Sequence, residues 1–321
     1  MTAQSRPLGD GATSPSTSRP ASNGEARVWI VLPTYNERDN LEPMVVRLLE
    51  VIPEARILVV DDGSPDGTGA LVDAIAARDQ RVSGLHRVAK QGLGAAYRAA
   101  FENLLRRSDC DVVVQMDCDF SHDPADVPRL VAALEPDVGL VLGSRYVPGG
   151  ATPGWNFGRR TISRGGSQFA RSVLGLPFRD LTGGFKAWRA DLLRSIDLAG
   201  VETQGYGFQV EMTWRAYRRG ARIKEVPIVF SERRAGQSKM SRKIIAEALV
   251  MVLRLRLGSA AWPRATGSTG LGEGQRDGIG LVRGTGGVAV DDLAAAVVLN
   301  PDAPRGGRLA THRAGEPEAG T

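Results

Sequence analysis

Two carboxylates stand where a short apolar run ends, and their spacing suits cation binding. Asp117 and Asp119 follow residues 112–114, a run of valines typical of a strand buried on both faces. Two positions apart in an extended segment, they point the same way. Such a pair repels unless a cation lies between, and hard oxygen ligands suit Mg²⁺ or Mn²⁺ shared with a substrate diphosphate. In isolation, Asp-x-Asp is short enough that solvated loop acids or helix caps explain it better.

The residues after the acidic pair predict a turn into a helix. Asp123 has the character of an N-cap and Pro124 that of a first helical residue, so we expect a helix over 125–134. The pair then lies where a buried strand turns toward a helix. In open α/β sheets, that carboxyl edge of the strands is where ligands bind.

The bulk composition is that of a globular protein with an anionic partner. The 321 residues are 42% hydrophobic, and the net charge of +5 favours a nucleotide, a phospholipid surface or nucleic acid. Cys110 and Cys118 are too few for a disulfide framework or a cysteine zinc site. Residues 1–24 have no apolar centre typical of a signal peptide, and no apolar run approaches the roughly 18 residues of a membrane span.

Strands alternate with helices along the first half of the chain. We predict strands at 27–32, 56–60, 82–88, 111–116 and 138–142, separated by helices at 41–51, 68–77, 95–105 and 125–134. Thr68 is the predicted N-cap of the second helix. Later elements are helices at 159–174, 209–219 and 242–257 and a strand at 223–230. This order predicts an α/β fold with a mostly parallel central sheet covered on both faces. Neither Gly-x-Gly-x-x-Gly after the first strand nor a P-loop occurs, which disfavours dinucleotide oxidoreductases and P-loop NTPases.

Several motifs occur in a diagnostic order: PTYNE, VVDDGSPDGT, KQGLGAA, MDCDFSHDP, GSRY, RRTISRGG, DLTGGFK, GYGFQVEM and ERRAGQSKMS. Together they resemble family 2 glycosyltransferases of the GT-A fold, most closely the polyprenol-phosphate (dolichol-phosphate) mannose synthases. The resemblance implies a GT-A three-layer sandwich over 26–257, with a nucleotide-binding half at 26–146 and an acceptor half at 147–257. Composition predicts a disordered leader at 1–25 and a disordered Gly/Arg/Pro-rich tail at 258–321, with one apolar stretch at 288–299.

The resemblance also implies roles for individual residues. The nucleoside pocket would be lined by Pro33, Tyr35, Glu37, Val60 and Asp62. The metal on the diphosphate would be held by Asp117 and Asp119, with the Cys118 backbone and Ser121 alongside. The phosphates would be surrounded by Arg145, Arg233 and Lys239, and the acceptor phosphate would meet Arg159, Ser163 and Arg145. Asp119 and Arg145 would be the catalytic residues. The thiol of Cys118, as a soft ligand, could admit other metals.

Three of the basic segments can also be weighed from the residues alone. Lys90, before two glycines at a predicted helix start, is either solvated or an anion-binding donor residue. Arg159 lies either on a solvated helix face or, with Ser163, in a cationic patch of the size of one phosphate. The glycine-containing loop 231–239 suggests a mobile lid that closes on phosphates.

The implied activity is metal-dependent, inverting transfer of mannose from GDP-mannose to polyprenyl monophosphate, as in dolichyl-phosphate β-mannosyltransferases. A phosphate monoester has a second pKa of about 6 and is a dianion at neutral pH, so it needs cationic positioning more than a base. Asp180 or Glu211 could still serve as bases, whereas His122 is expected to be a turn residue. The alternatives are a UDP-glucose-dependent transferase of the same fold and a catalytically silent sugar-nucleotide-binding subunit; nucleic acid is not an expected partner.

The segment 240–257 combines many apolar residues with four basic ones. It is either a core helix with basic ends or a helix in a lipid interface, where apolar burial and attraction to anionic headgroups add. A lipid substrate favours the second interpretation. We therefore expect a cytoplasmic protein, peripheral on the cytoplasmic face of the membrane, which a membrane-anchored partner protein could help to hold there.

Overall fold

The computed structural model of the chain describes residues 26–201, 203–232 and 242–258. The predicted leader, and all of the predicted tail beyond residue 258, lie outside the described residues. All strands and helices given below belong to these described residues, which lie in one compact unit.

Seven strands form one sheet in the order β3-β2-β1-β4-β6-β5-β7. Their bounds are β1 Val28–Thr34, β2 Arg56–Asp61, β3 Val82–His86, β4 Val112–Gln115, β5 Val138–Ser144, β6 Lys186–Arg189 and β7 Arg222–Pro227. Only β6 among them runs antiparallel to its neighbours, β4 and β5. The prediction of a mostly parallel sheet is therefore confirmed.

Eight α-helices lie within the described ranges and cover both faces of the sheet. They are α1 Arg38–Val51, α2 Thr68–Arg78, α3 Leu93–Leu105, α4 Val127–Ala132, α5 Phe157–Leu174, α6 Ala190–Ser195, α7 Gly205–Arg218 and α8 Arg242–Gly258. One apolar core joins the sheet to α1, α2 and α4, and a second joins it to α3 and α5–α8. In the described part of the chain, each helix falls short of the length and apolar character needed to cross a bilayer.

The structure contains two elements that the sequence pattern did not predict, and it shifts several predicted helix and strand ends by two to four residues. The strand β6 was missed because Lys186 and Arg189 interrupt its apolar pattern, and the short helix α6 follows it directly. The N-cap of α2 is Gly67 in a left-handed conformation, not Thr68, which is the first helical residue. Asp123 does cap its helix as predicted, by accepting from the Ala125 N–H group, but the first turn is a 3₁₀ turn.

The reversal of strand order and the direction of β6 together create the edge at which polar residues gather. Strands β2 and β4 lie on opposite sides of β1, so a crevice forms where the strand order reverses. Because β6 is antiparallel, its first residue, Lys186, pairs with the last residue of β4, Gln115. The loop that precedes β6 thus lies at the same edge of the sheet as the exits of β1, β4 and β5.

Candidate active site

The acidic pair lies directly beyond the buried strand β4, at the carboxyl edge. Asp119 is only 3% exposed, and its Oδ1 atom accepts a 3.0 Å hydrogen bond from the Ser121 N–H group. Phe120, between them, has a φ of +61°, which is an uncommon conformation for a large side chain and is found where function constrains the backbone. The turn therefore holds the Asp119 carboxylate in a fixed place.

The buried side chain of His122 also holds this turn. Its Nδ1 atom accepts a 3.1 Å hydrogen bond from the Asp117 N–H group. The ring is 1% exposed and packs against Phe185 and Phe230 at centroid distances of 5.0 and 5.2 Å. Because the Nδ1 lone pair is used by the backbone, His122 holds the turn in place, as the sequence predicted.

The residues around the acidic pair fit a hard divalent cation. The Ser121 Oγ atom is buried and has no hydrogen-bond partner among the described residues, which is unusual for a native hydroxyl. Asp117 and Asp119 add carboxylate oxygens. The described part of the chain holds no cluster of three or more His, Cys, Asp or Glu side chains suited to a metal. Two carboxylates and one hydroxyl are a ligand set that matches Mg²⁺, which is usually bound through one or two carboxylates together with substrate phosphates.

The thiol of Cys118 does not contribute to this site. It is 2% exposed and packs in the apolar core with α1 and α4, and burial raises the pKa of the thiol well above its ordinary value. A buried, protonated thiol is a poor metal ligand. The expectation that the Cys118 thiol could admit softer metals stays a prediction, and the burial of the thiol in the core counts against it.

The exits of β1 and β2 form the side predicted to bind the nucleoside. The Lys90 ammonium lies 3.6 Å from the centroid of the Tyr35 ring, so these two predicted donor residues are brought together. Glu37 accepts a 2.7 Å hydrogen bond from the Asn40 amide. Asp62 is paired with Arg87 at 2.5 Å, a partner that no motif identified.

Two features predicted for this side, one residue and one helix N-terminus, differ from the simplest expectation. Val60 pairs with Pro33 in the sheet and is fully buried in the core, so its side chain offers no surface to a base. The N-terminus of α3, expected to be open to an anion, is occupied in part: the Gln204 Oε1 atom accepts from the Ala95 N–H group at 3.2 Å. Gly94 permits this contact, since a Cβ there would lie 2.4 Å from the Thr203 carbonyl oxygen.

Arg145, at the exit of β5, forms a buried ion pair with Asp180 in the loop before β6. The Nε and Nη2 atoms each donate a 2.7 Å hydrogen bond to the carboxylate, and the two side chains are 4% and 0% exposed. Burial acts to raise the pKa of Asp180, but the charge and hydrogen bonds of Arg145 outweigh it and hold the pKa below its ordinary value.

Arg145 also anchors a group of aromatic rings that gathers the predicted acceptor residues. Its guanidinium lies 5.2 and 5.5 Å from the ring centroids of Tyr146 and Trp155. Arg159 lies over the same Trp155 ring at 4.1 Å, and the Tyr146 hydroxyl donates to the Ser163 Oγ atom at 2.6 Å. Arg145, Arg159 and Ser163 are thus brought together through two aromatic side chains.

The two carboxylates considered as alternative bases are both engaged. Asp180 is held by Arg145, and its lowered pKa makes it a weak base. Glu211 is 2% exposed; its carboxylate pairs with Arg215 at 2.7 Å and accepts from the Thr203 hydroxyl at 2.6 Å. Neither carboxylate is arranged to take a proton from a substrate.

Arg233 and Lys239 lie outside the described residues, so their predicted contacts with phosphates stay predictions. The chain approaches that segment from the site itself, because the Ser231 N–H group donates to the Ser121 carbonyl oxygen at 3.1 Å. A buried hydrogen-bond chain near the acidic pair was not identified from the sequence; it joins Trp188, Gln115 and Gln209. Each lies in a different element, and no local pattern connects them.

Comparison with known proteins agrees with this geometry. Residues 29–197 match the domain described as glycosyl transferase family 2. The undecaprenyl-phosphate mannosyltransferase of Micrococcus luteus is 50% identical over 245 residues, covering 76% of this chain and 100% of that protein. The polyprenol monophosphomannose synthase of Mycolicibacterium smegmatis is 46% identical over 239 residues, covering 74% of this chain and 88% of that protein.

Among solved structures, the fold is similar to that of glucosyl-3-phosphoglycerate synthase from Mycobacterium tuberculosis in complex with Mn²⁺, UDP-glucose and phosphoglyceric acid. The TM-score is 0.53 at 22% identity, over 73% of this chain and 80% of that one. The fold is thus GT-A-like. From the family match and the two relatives, the chain belongs to glycosyl transferase family 2 and groups there with the polyprenol-phosphate mannose synthases.

Proposed function

We propose that this glycosyltransferase transfers mannose from GDP-mannose to a polyprenyl monophosphate, with inversion at the anomeric carbon. The observation that carries the proposal is the meeting, at one sheet edge, of an acidic pair beyond β4 and an arginine–aromatic group beyond β5. The first suits a metal-bound diphosphate and the second an anionic acceptor. The names of the two relatives, a mannosyltransferase and a mannose synthase acting on polyprenyl phosphates, supply the substrate class.

Asp117 and Asp119, together with the unpartnered Ser121 hydroxyl, would hold Mg²⁺ or Mn²⁺. When bound, such an ion neutralises the charge that develops on the nucleoside diphosphate leaving group. The backbone hydrogen bonds to Asp119 and from Asp117 hold this turn ready, so no rearrangement of the turn is needed as charge develops. Arg233 and Lys239 are proposed to add positive charge on the same phosphates.

The acceptor phosphate is proposed to lie beside Arg159 and Ser163. One of its oxygens forms a bond to the anomeric carbon while the bond from that carbon to the nucleoside diphosphate breaks on the opposite face. Because the phosphate is already a dianion, no proton has to be removed. This agrees with the engaged state of Asp180 and Glu211. Arg145, fixed by Asp180, is proposed to position the aromatic rings and to add positive charge toward the acceptor.

The described surface of α8 suits a lipid interface. Val250, Leu253 and Leu257 are 48%, 47% and 79% exposed and lie three and four residues apart, which places them on one face of the helix. Arg254 and Arg256 are also exposed. Helix α8 packs against α5, whose Phe157 is 83% exposed. Apolar and basic side chains combined in this way favour peripheral binding to an anionic membrane surface, which we propose to be the cytoplasmic face.

A donor panel tests this function. The full chain is incubated with a short polyprenyl phosphate, Mn²⁺ and either GDP-mannose or UDP-glucose, and the lipid product and the released nucleotide are measured. We expect hexosylated lipid and GDP from GDP-mannose. Because the two hexoses have equal mass, each donor is supplied alone. Product only from UDP-glucose would favour the glucosyltransferase, and no product from either donor would favour the silent subunit.

A further inference from the structure

A buried glutamine beside the acidic pair has an unused hydrogen-bond donor. Gln209, near the start of α7, is 2% exposed, yet its Nε2 atom has no hydrogen-bond partner among the described residues. Buried amide groups in native proteins are nearly always paired, so an unpaired one calls for an explanation.

The direction of this donor is set by a chain of hydrogen bonds that begins at Trp188. The indole N–H group can only donate, and it donates to the Gln115 Oε1 atom at 3.2 Å. Gln115 must therefore present its NH₂ group to the Gln209 Oε1 atom, at 2.6 Å. The remaining NH₂ group of Gln209 is then the end of the chain. The indole donor at Trp188 therefore determines which way both amide groups are turned.

The unpaired NH₂ group of Gln209, at the end of this hydrogen-bond chain, lies near the acidic pair and beside Gly184. A Cβ atom built on Gly184 would lie 3.6 Å from Gln209 Nε2, 3.7 Å from Asp117 Oδ1 and 3.5 Å from His122 Cε1. These three atoms therefore border one small space. Gly184 is half-buried, so the loop beside this space is not fully closed off from solvent. The loop that carries Gly184 is held by Asp180, which accepts from the Gly183 N–H group at 3.1 Å.

We propose that Gln209 donates a hydrogen bond to a hydroxyl group of the transferred sugar and thereby contributes to sugar recognition. The inference rests on the proposed function only in placing the sugar nucleotide at the acidic pair. A hydroxyl suits this space because it can accept from the Gln209 amide and donate to the Asp117 carboxylate at once. An ionised phosphate oxygen could accept from Gln209 but has no proton to donate to the Asp117 carboxylate.

The test removes the donor from the protein and the hydroxyl from the substrate, separately and together. Gln209→Met keeps the length of the side chain but cannot donate, and Gln168→Met, at an exposed glutamine of α5, is the matched control. Each is assayed with the sugar nucleotide that the wild type uses fastest and with its 2-, 3-, 4- and 6-deoxy analogues. The mannose assignment is judged from the wild type alone, so its failure is separate from failure of this proposal.

In the wild type and in Gln168→Met, we expect one deoxy analogue to lower kcat/KM by about tenfold or more through loss of this contact. In Gln209→Met, the same analogue should lower kcat/KM by less than about twofold relative to the full sugar nucleotide. The affinity of this variant for the nucleoside diphosphate alone should stay within about twofold of the wild-type value. If every analogue lowers kcat/KM of Gln209→Met by the same factor as in the wild type, the proposal is wrong. A parallel loss of nucleoside diphosphate affinity would also overturn it, since the contact would then be to phosphate.

Gly184→Ala gives a second route that leaves the hydrogen-bond chain intact. The added methyl group would meet its neighbours at ordinary contact distances, so the variant is expected to fold, but it occupies the space assigned to the hydroxyl. We expect it to lower kcat/KM for the full sugar nucleotide at least tenfold and to lower it far less for the one sensitive deoxy analogue. Equal losses for both donors would contradict the proposal, even if Gln209→Met failed to fold.

Discussion

The Arg145 guanidinium and the Asp180 carboxylate are joined by two parallel 2.7 Å hydrogen bonds, and both side chains are almost fully buried. This pair connects the exit of β5 to the loop that precedes β6. The Asp180 carboxylate also accepts from the Arg145 and Gly183 N–H groups. This one ion pair therefore fixes the arginine–aromatic group and the loop of Gly184 relative to each other at the carboxyl edge of the sheet.

Removing the negative partner of this pair should cost much stability. We expect Asp180→Asn to lower the free energy of unfolding by roughly 3 kcal/mol or more, because a buried guanidinium loses its charge partner. Asp191→Asn is the control, because Asp191 pairs with Arg194 while its side chain is 89% exposed; it should change stability by less than about 0.5 kcal/mol. Urea unfolding monitored by circular dichroism measures both, and equal effects would contradict the structural role of the pair.

Lys186 should make stability depend on pH. Its ammonium is buried, donating to the Gln209 carbonyl oxygen at 2.7 Å and the Thr213 hydroxyl at 2.9 Å, and burial lowers its pKa from 10.5 to about 7. Above pH 7 the unfolded chain retains this proton while the folded chain releases it. The free energy of unfolding should therefore rise with pH, with a contribution that approaches about 1.4 kcal/mol per pH unit.

Lys186→Met is expected to remove that contribution. The comparison is made by urea unfolding between pH 7 and 8.5. Exposed thiols of the unfolded chain begin to ionise toward the upper end of this range in both proteins, so the difference between the two slopes reports on Lys186. The variant should show a flatter dependence on pH than the wild type. Identical slopes for the two proteins would mean that Lys186 keeps its proton, and its charge, in the folded state.

The exposed apolar face of α8 should determine membrane binding. Leu253→Glu combined with Leu257→Glu places two negative charges on that face and is expected to weaken binding to vesicles containing anionic phosphatidylglycerol at least fivefold. Val46→Glu, at a 52% exposed position of α1, is the control. Co-sedimentation measures the bound fraction; equal binding by all three proteins would remove α8 from the proposed interface.

Both described cysteine thiols should be unreactive in the folded protein. Cys110 and Cys118 are 1% and 2% exposed, and burial raises the pKa of Cys110 to about 12 and that of Cys118 well above its ordinary value. We expect a thiol-specific disulfide reagent to modify neither cysteine until urea is added, and Cys118→Ala to keep the preference of the enzyme among Mg²⁺, Mn²⁺ and Zn²⁺ unchanged. Rapid modification of the native protein would contradict this assignment.

The local features of the site could be predicted from the sequence because they depend on neighbouring residues. The run of valines predicts the strand before Asp117, and Asp123 followed by Pro124 predicts the turn after it. His122, seven positions beyond the end of β4 at Gln115, was correctly predicted to belong to the turn. Such features combine burial and capping over a few residues, which is the range that sequence patterns report best.

The remaining features depend on contacts between distant parts of the chain. Gln115 meets Gln209 across 94 positions and Trp188 across 73, so no spacing reveals the hydrogen-bond chain. Strand β6 was missed because the buried Lys186 has polar partners that only α7 supplies. The buried state of Arg145 depends likewise on Asp180, 35 positions away. From sequence alone, a charged residue is predicted to be solvent-exposed, because charged side chains are rarely buried without a partner.

The most direct test of the account is mannose transfer by Asp119→Asn, measured as radiolabel entering the lipid extract at the same Mn²⁺ concentration as for the wild type. Asp123→Asn, at an exposed helix cap, is the control and should keep most of the activity. Because Asp119 is proposed to hold the ion that neutralises the leaving diphosphate, its variant should lose transfer by about a thousandfold or more. Transfer by Asp119→Asn at the wild-type rate would contradict the metal-binding role of the acidic pair.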